Sequence, residues 1–304
     1  MKIAVPDLIS NSYFPALAAV ELGTFREEGI DMDVEVIFPP DRAYQALREG
    51  AVDLVAASAH AALGVFPGWQ GVRLLCAQSR HMYWFLVLRR DLGAARGDLA
   101  ALRGLKIGAA PWVEMGLRGL LAAAGMPAEA NDITIAPVPK MEGVGPNFGL
   151  MAQKALEAGL IDGFWANGMA AELAVRHGIG DVILDVRRGD GPPEARGLTF
   201  ASIAASEEGL SRHPGLGEAT MRAIARAHRL LREDPARAEA IGRRLFPAEE
   251  AGLIATLVTR DLPFYDTAIT PDDVTSLNRF MRTMGHLERD VPWDEVVLPP
   301  GGAL

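Results

Sequence analysis

Short apolar runs alternate with helical stretches along this chain, and the order of the runs starts over once. Lys2 leads into Ile3-Ala4-Val5, which reads as a buried strand. Apolar positions then recur at helical spacing from Tyr13 to Leu22, and Gly23 stops that helix. Between residues 32 and 38 acids alternate with aliphatics (Asp33, Val34, Glu35, Val36), the pattern of a half-exposed edge strand. A helix opened by Pro39-Pro40-Asp41 follows, and then strands at 54–56, 72–77 and 82–88. After a loose Gly/Ala segment, Leu105-Lys106-Ile107-Gly108 echoes the first strand. A helix to Gly125, a strand at 132–138, a Gly/Pro loop at 139–149 and a strand at 182–186 complete the second round.

Within this order, two segments repeat each other in register. Ala46-Leu47-Arg48-Glu49-Gly50-Ala51-Val52-Asp53 runs into Leu54 to Ala62, and Ala155-Leu156-Glu157-Ala158-Gly159-Leu160-Ile161-Asp162 runs into Gly163 to Ala171. Each predicts a helix end, a Gly able to take positive φ just past it, an Asp, a short buried strand, and small residues opening another helix. Each copy ends at the carboxyl end of a strand, where open α/β sheets bind ligands. Asp53 and Asp162 precede their strands, so structural pairing with a neighbouring turn is the expected role of both. The repeat predicts two similar lobes facing one cleft.

From Leu198 the chain is strand-like to Ala204 and then mostly helical. His213-Pro214 precedes an amphipathic helix whose apolar stripe includes Leu216, Ile224, His228 and Leu231, with Arg222, Arg226, Arg229 and Arg232 on its predicted solvated face. Thr270-Pro271-Asp272-Asp273 has the signature of a helix start. Residues 296–304 show no helical pattern and are expected to lie extended or frayed.

Composition narrows the function classes. The chain has 304 residues, enough for two domains, and a net charge of −9, which argues against nucleic acid or an anionic membrane as partner. Its one cysteine, Cys76, excludes an internal disulfide and a cysteine-based zinc cluster, and lies in an apolar run as a buried structural thiol. No cofactor and no metal are expected. No apolar run reaches a membrane span, and Lys2 passes straight into the first strand with no secretory signal. The expected compartment is the periplasm if a signal peptide was trimmed, and otherwise the cytoplasm.

Four segments in order carry a resemblance. Tyr13 to Asp33 resembles the first helix of the NMT1/THI5-like group, solute-binding proteins of ABC transporters for sulfonates, nitrate, thiamine precursors and aromatic acids. The first repeat copy resembles that group's A-L-x-x-G-x-V-D segment. Leu102 to Gly108 resembles its entry to the second lobe, and Ser206 to Pro214 its return to the first. Where many members carry a His and a Gly before the apolar stretch of the first helix, this chain has Ser12-Tyr13-Phe14. The resemblance implies an α/β, two-lobed periplasmic-binding-protein fold of type II, each lobe a mostly parallel sheet flanked by helices. Lobe one would take residues 1–88 and 200–304, lobe two 93–195, with the hinge near 88–93 and 195–200.

The loops after the strands are then the candidate ligand-binding segments. Ser10, Asn11, Ser12 and Tyr13 stand at a helix start, where free N–H groups suit carboxylate, sulfonate or amide oxygens, or where the side chains simply cap the helix. Asp41 and Glu114 lie in first turns, favoured there by the helix dipole or else reading N–H donors of a ligand. Ser58 and His60 end the first copy; His60 is a ligand contact, an acid–base group, or a histidine bonded to the loop backbone. Trp84, Trp112 and Trp165 offer flat platforms or core packing. Asn147 and Asn167 close the set. Arg80 and Lys140 are the nearest cations, and His81 is the other histidine near the expected cleft.

The expected function is capture of a small organic solute, flat, heterocyclic or aromatic and carboxylate- or sulfonate-bearing, for ABC-type import. The expected partners are that ligand and an ABC permease; the chain is expected to be a monomer with no inserted membrane segment and no nucleic-acid partner. The alternative is a cytoplasmic enzyme on the same scaffold, desulfinase- or pyrimidine-synthase-like, using His60. A cytoplasmic ligand sensor is a third.

Overall fold

The computed structural model describes residues 1–141 and 147–299. The chain divides into two compact units, Met1–His81 joined by the chain from Thr199 onward, and Met82–Leu198. Among the described residues each unit is built on one five-stranded sheet flanked by helices.

The strands are β1 (Lys2–Val5), β2 (Asp33–Val36), β3 (Leu54–Ser58), β4 (Val72–Ser79), β5 (Phe85–Arg89), β6 (Lys106–Ala109), β7 (Thr134–Ala136), β8 (Gly163–Ala166), β9 (Gly180–Asp185) and β10 (Ala201–Ser206). The first sheet has the order β2-β1-β3-β10-β4 and the second β7-β6-β8-β5-β9. In the first, β2, β1 and β3 are parallel and β10 runs antiparallel to β3 and β4. In the second, β7, β6 and β8 are parallel and β5 runs antiparallel to β8 and β9. The two sheets are thus one plan used twice, with β5 in the place that β10 fills.

That placement moves a boundary. Phe85 pairs with Ala166 and Asp185, so β5 lies in the second unit, and the chain changes unit at residues 81–82 rather than 88–93. An apolar run shows that a strand is buried but not which sheet receives it.

The repeat has a physical basis at each copy. The helices Pro40–Arg48 and Phe148–Glu157 end, and Gly50 and Gly159 take φ of 70° and 67° just after them. Asp53 then accepts the N–H of Lys2 at 2.7 Å through its carboxylate, while its own N–H donates to the Lys2 carbonyl at 2.9 Å. Asp162 does the same with Lys106, at 2.9 Å and 2.9 Å. Both aspartates therefore fasten the start of a central strand to its neighbour.

In the first unit Ile3, Val5, Leu54, Ala56, Ile203 and Ala205 pack with Ala16, Ala19, Ala223 and Ala227 of the helices Phe14–Glu21 and Leu216–Glu233. Small residues at that contact let the helices approach the sheet closely. The Thr24 hydroxyl donates to the Ala223 carbonyl at 2.9 Å. Arg222 and Arg226 form surface ion pairs with Glu28 and Glu27. Arg232 is exposed as expected, and its guanidinium also donates to the Tyr265 carbonyl. Thr270 caps Pro271–Thr283 in a reciprocal capping box with Asp273.

Within the described residues the tail is extended from Val297, as expected, and is anchored to a strand. Trp293–Val296 is a helical turn, Val297 bridges to Leu74, and the Leu298 N–H donates to the Leu74 carbonyl at 2.9 Å. Leu298 is buried, so apolar burial anchors a segment that has no helical period. Cys76 is buried within β4, and that burial pushes its thiol up to about 12. At neutral pH the native thiol therefore stays protonated and unreactive.

Asp53→Ala and Asp162→Ala should each lower stability by about 1 kcal/mol, the scale of a hydrogen bond to a charged acceptor in a solvated setting. The two losses should add in the double variant, because the bonds lie in different units. Urea denaturation followed by circular dichroism measures both.

Candidate functional site

Parallel strands deliver their carboxyl ends to one edge of a sheet, and the loops that leave that edge carry the side chains able to meet a ligand. In the first unit these loops follow β1, β2 and β3.

After β1, the Ser10 N–H donates to Asp7 Oδ1 at 2.6 Å, and Ser10, Asn11 and Ser12 are all buried. Tyr13, not a serine, occupies the cap position of Phe14–Glu21 and makes no side-chain cap bond. Gln78 Oε1 accepts the first-turn N–H of Ala16 at 3.2 Å instead, while Gln78 Nε2 donates to the Ser202 carbonyl at 3.0 Å. Asn11 is pinned twice. Its Nδ2 donates to Asp261 Oδ2, and its carbonyl accepts from the Tyr265 hydroxyl. Among the described residues, Ser10 Oγ and Asn11 Oδ1 have no hydrogen-bond partner.

After β2, Asp41 sits in the first turn of Pro40–Arg48, and its Oδ1 likewise has no partner among the described residues. At the end of β3, the Ser58 carbonyl accepts from the buried Tyr44 hydroxyl at 3.3 Å, and Ser58 Oγ is buried without a partner among the described residues. Burial raises the Tyr44 phenol well above its usual range, so Tyr44 stays a neutral donor.

His60 is fully buried. Its Nδ1 lies 2.9 Å from Thr199 Oγ1, and its ring meets Phe280 edge-on at 5.6 Å. This hydrogen bond joins His60 to a threonine side chain 139 positions away. A second buried histidine, His228, stacks on Tyr265 at 5.2 Å. Burial, aided by nearby Arg232, pushes His228 down to about 4.

In the second unit the candidates divide between interior and surface. Trp165 is fully buried and its Nε1 donates to the Val113 carbonyl at 3.1 Å, which makes it a core tryptophan with its donor satisfied. Trp84 packs 6.1 Å from Trp165 and 4.8 Å from Tyr83. Gly116 is required beside it, since a Cβ there would lie 2.7 Å from Trp84 Cζ3. Trp112 is only half-buried and holds φ +68°, ψ −40° at the cap of Val113–Ala123, a strained backbone for a bulky residue. Glu114 pairs with Arg118 at 3.6 Å. Asn147 Oδ1 and Asn167 Oδ1 cap their helices, accepting from Leu150 at 3.0 Å and Ala170 at 3.1 Å.

The two cations named from sequence are placed apart from this role. Arg80 lies 3.9 Å from Asp266 and 3.8 Å from Asp273, and Lys140 is exposed. His81 meets Phe264 edge-on at 6.2 Å. The part of the 139–149 loop that holds Gly143, Gly145 and Pro146 lies outside the described residues. Sequence reading missed Asn11's partners, Asp261 and Tyr265, and also Arg187. That arginine is buried just beyond β9 with its guanidinium 5.5 Å from the Tyr83 ring centre. The Arg187-Arg188 pair after an apolar strand was the available signal. No group of three or more His, Cys, Asp or Glu that could hold a metal ion occurs among the described residues, and no helix there is long and apolar enough to cross a membrane.

Comparison with known proteins adds a family and a fold. The family model described as NMT1/THI5 like matches residues 10–238. A solved structure of a Bordetella bronchiseptica RB50 protein superposes with a TM-score of 0.73 at 21% identity, covering 97% of this chain and 91% of that one. The alkanesulfonate-binding protein SsuA from Xanthomonas axonopodis pv. citri gives 0.72 at 14% identity, covering 98% and 97%. The desulfurization enzyme DSZB gives 0.63 at 15%, covering 98% and 96%. At such identities the likeness is one of fold, and the fold is the two-lobed periplasmic-binding-protein type. The search of curated proteins returns no match.

The buried His228 gives stability a pH dependence. Unfolded, its imidazole titrates near 6.5, and folded near 4, so in between the unfolded chain binds more protons. This contribution is neutral above pH 6.5 and erodes stability as pH falls toward 4. The loss at pH 5 relative to pH 8 should be about 2 kcal/mol, and His228→Gln should flatten that slope in urea titrations.

Proposed function

The chain belongs to the NMT1/THI5 like family, and from that premise we propose that it is a solute-binding protein that captures one small organic molecule and passes it to an ABC-type permease for import. We place its work in the periplasm, as a monomer. Within the first unit the ligand-contacting groups are Ser10, Asn11, Asp41 and Ser58 on the strand-end loops, and within the second unit the candidate contact is Trp112.

The observation that carries this reading is the set of buried polar atoms left without partners at the carboxyl ends of β1 and β3. Each such atom costs about 1–3 kcal/mol when desolvated and unmet, a cost that a bound ligand can offset. Such atoms gathered at the one sheet edge where α/β folds bind ligands support capture rather than a purely structural loop. Trp112 supports a flat ligand, because a half-buried indole held on a strained backbone at a helix start is a platform suited to stacking. His60 favours no enzymatic alternative by its placement: its ring is enclosed by Thr199 and Phe280.

The test is a thermal-shift screen of small organic solutes, followed by mass spectrometry of the bound molecule after prolonged incubation. One solute class should stabilise the protein and be recovered chemically unchanged. Recovery of an altered molecule overturns the reading in favour of an enzyme. Trp112→Gly should leave stability within about 1 kcal/mol, because relief of backbone strain offsets lost side-chain contact. The same change should weaken binding of the identified solute at least about tenfold by calorimetry, the scale of a lost aromatic stack.

A further inference from the structure

We infer that the first unit recognises its ligand by accepting an N–H: the side-chain oxygen of Asn11, committed as an acceptor by buried Asp261, selects an uncharged or cationic nitrogen compound over an anion. This rests on the solute-binding reading above and names the ligand class for it.

The argument begins with the amide itself. An asparagine side chain offers one acceptor oxygen and one donor nitrogen, and its neighbours decide which faces where. Here the neighbour is a carboxylate oxygen of Asp261, which accepts, so Asn11 must present Nδ2 to it. The Tyr265 hydroxyl holds the Asn11 main-chain carbonyl, so the residue cannot swing away. What is left is Oδ1, buried and unmet among the described residues. An amide oxygen in that state is completed by a donor.

Asp261 is a buried carboxylate that also fixes the Asn11 amide. It is 1% exposed and is the last residue of Ala248–Asp261, where the partial negative charge of a helix end disfavours a carboxylate. Its effect on Asn11 is to fix the amide's sense, which a neutral side chain could not do unambiguously. The surroundings agree in polarity. Adjacent parallel strands bring the Asp41 carboxylate and the Ser10 and Ser58 hydroxyls to the same sheet edge. The hydroxyls can donate or accept, whereas Asn11 Oδ1 and Asp41 only accept. A sulfonate or nitrate would set oxygen against oxygen there. A primary amide, an amine or an N–H heterocycle would set hydrogen against oxygen.

The experiment titrates the full chain by calorimetry with a panel of matched small molecules. Each pair differs only in whether one nitrogen carries hydrogen (a primary amide against its N,N-dimethyl amide, an amino heterocycle against its dimethylamino form), and carboxylates and sulfonates of the same rings complete the panel. The N–H members should bind at least about tenfold tighter than their dimethyl and anionic counterparts, as expected of a site built around a buried polar group. In Asp261→Asn, an isosteric change that frees the amide to turn over, that preference should fall to about threefold or less. The wild-type comparison alone decides the matter if the variant does not fold. Anions binding as tightly as the N–H members overturn the inference and leave the solute-binding reading intact. Binding by no member of the panel overturns that reading, and the inference with it.

Discussion

A strand that starts a parallel sheet exposes an N–H with no partner of its own, and this chain meets that need twice with an aspartate. The carboxylates of Asp53 and Asp162 take the N–H groups of Lys2 and Lys106, and the same aspartates return an N–H to the lysine carbonyls. This two-way bond sets the register between the two central parallel strands of each sheet. Register in turn sets where the strands finish, because side chains alternate faces and a slip of one residue would exchange them. Ser58 and Ala166 stand at the ends of equivalent strands for this reason, and the loops that follow inherit their positions.

The two units use the same frame and treat their strand ends differently. In the second unit the asparagines and the tryptophan named from sequence have their polar groups met, although Asp185 Oδ1 at the end of β9 has no partner among the described residues. Asn147 and Asn167 cap helices, and the Trp165 N–H goes to the Val113 carbonyl. The first unit leaves Ser10 Oγ, Asn11 Oδ1 and Ser58 Oγ unmet among the described residues, while spending Gln78, Asp261 and Tyr265 on holding the loop that carries two of them. Rigid support around unmet polar atoms is the arrangement a binding surface needs, since a loose loop would turn inward to meet its own groups.

Much of the frame was legible in the sequence because its signals are local. Gly50 and Gly159 mark helix ends through backbone freedom, Asp53 and Asp162 follow at fixed spacing, and the Thr270 cap announces itself within four residues. What could not be read depends on partners far away in the chain. Nothing near Phe85 says that β5 joins the second sheet, and nothing near Asn11 points to Asp261, 250 positions later. Trp165 and Trp112 read alike as platforms, yet one is sealed in the core and the other is half-buried, because burial is decided by what packs above each ring. The candidate site was therefore legible as a set of loops, and its donor and acceptor sense was not.

The position of β10 has a consequence for biosynthesis. It lies inside the first sheet, between β3 and β4, although residues 201–206 follow the whole of the second unit in the chain. As the polypeptide leaves the ribosome, every strand of the second sheet is available before the first sheet can close its middle. The amino-terminal segment must wait with β3 and β4 unjoined, an open pair of edges of the kind that chaperones shield. The first sheet can thus be completed only after the whole of the second unit has been synthesised.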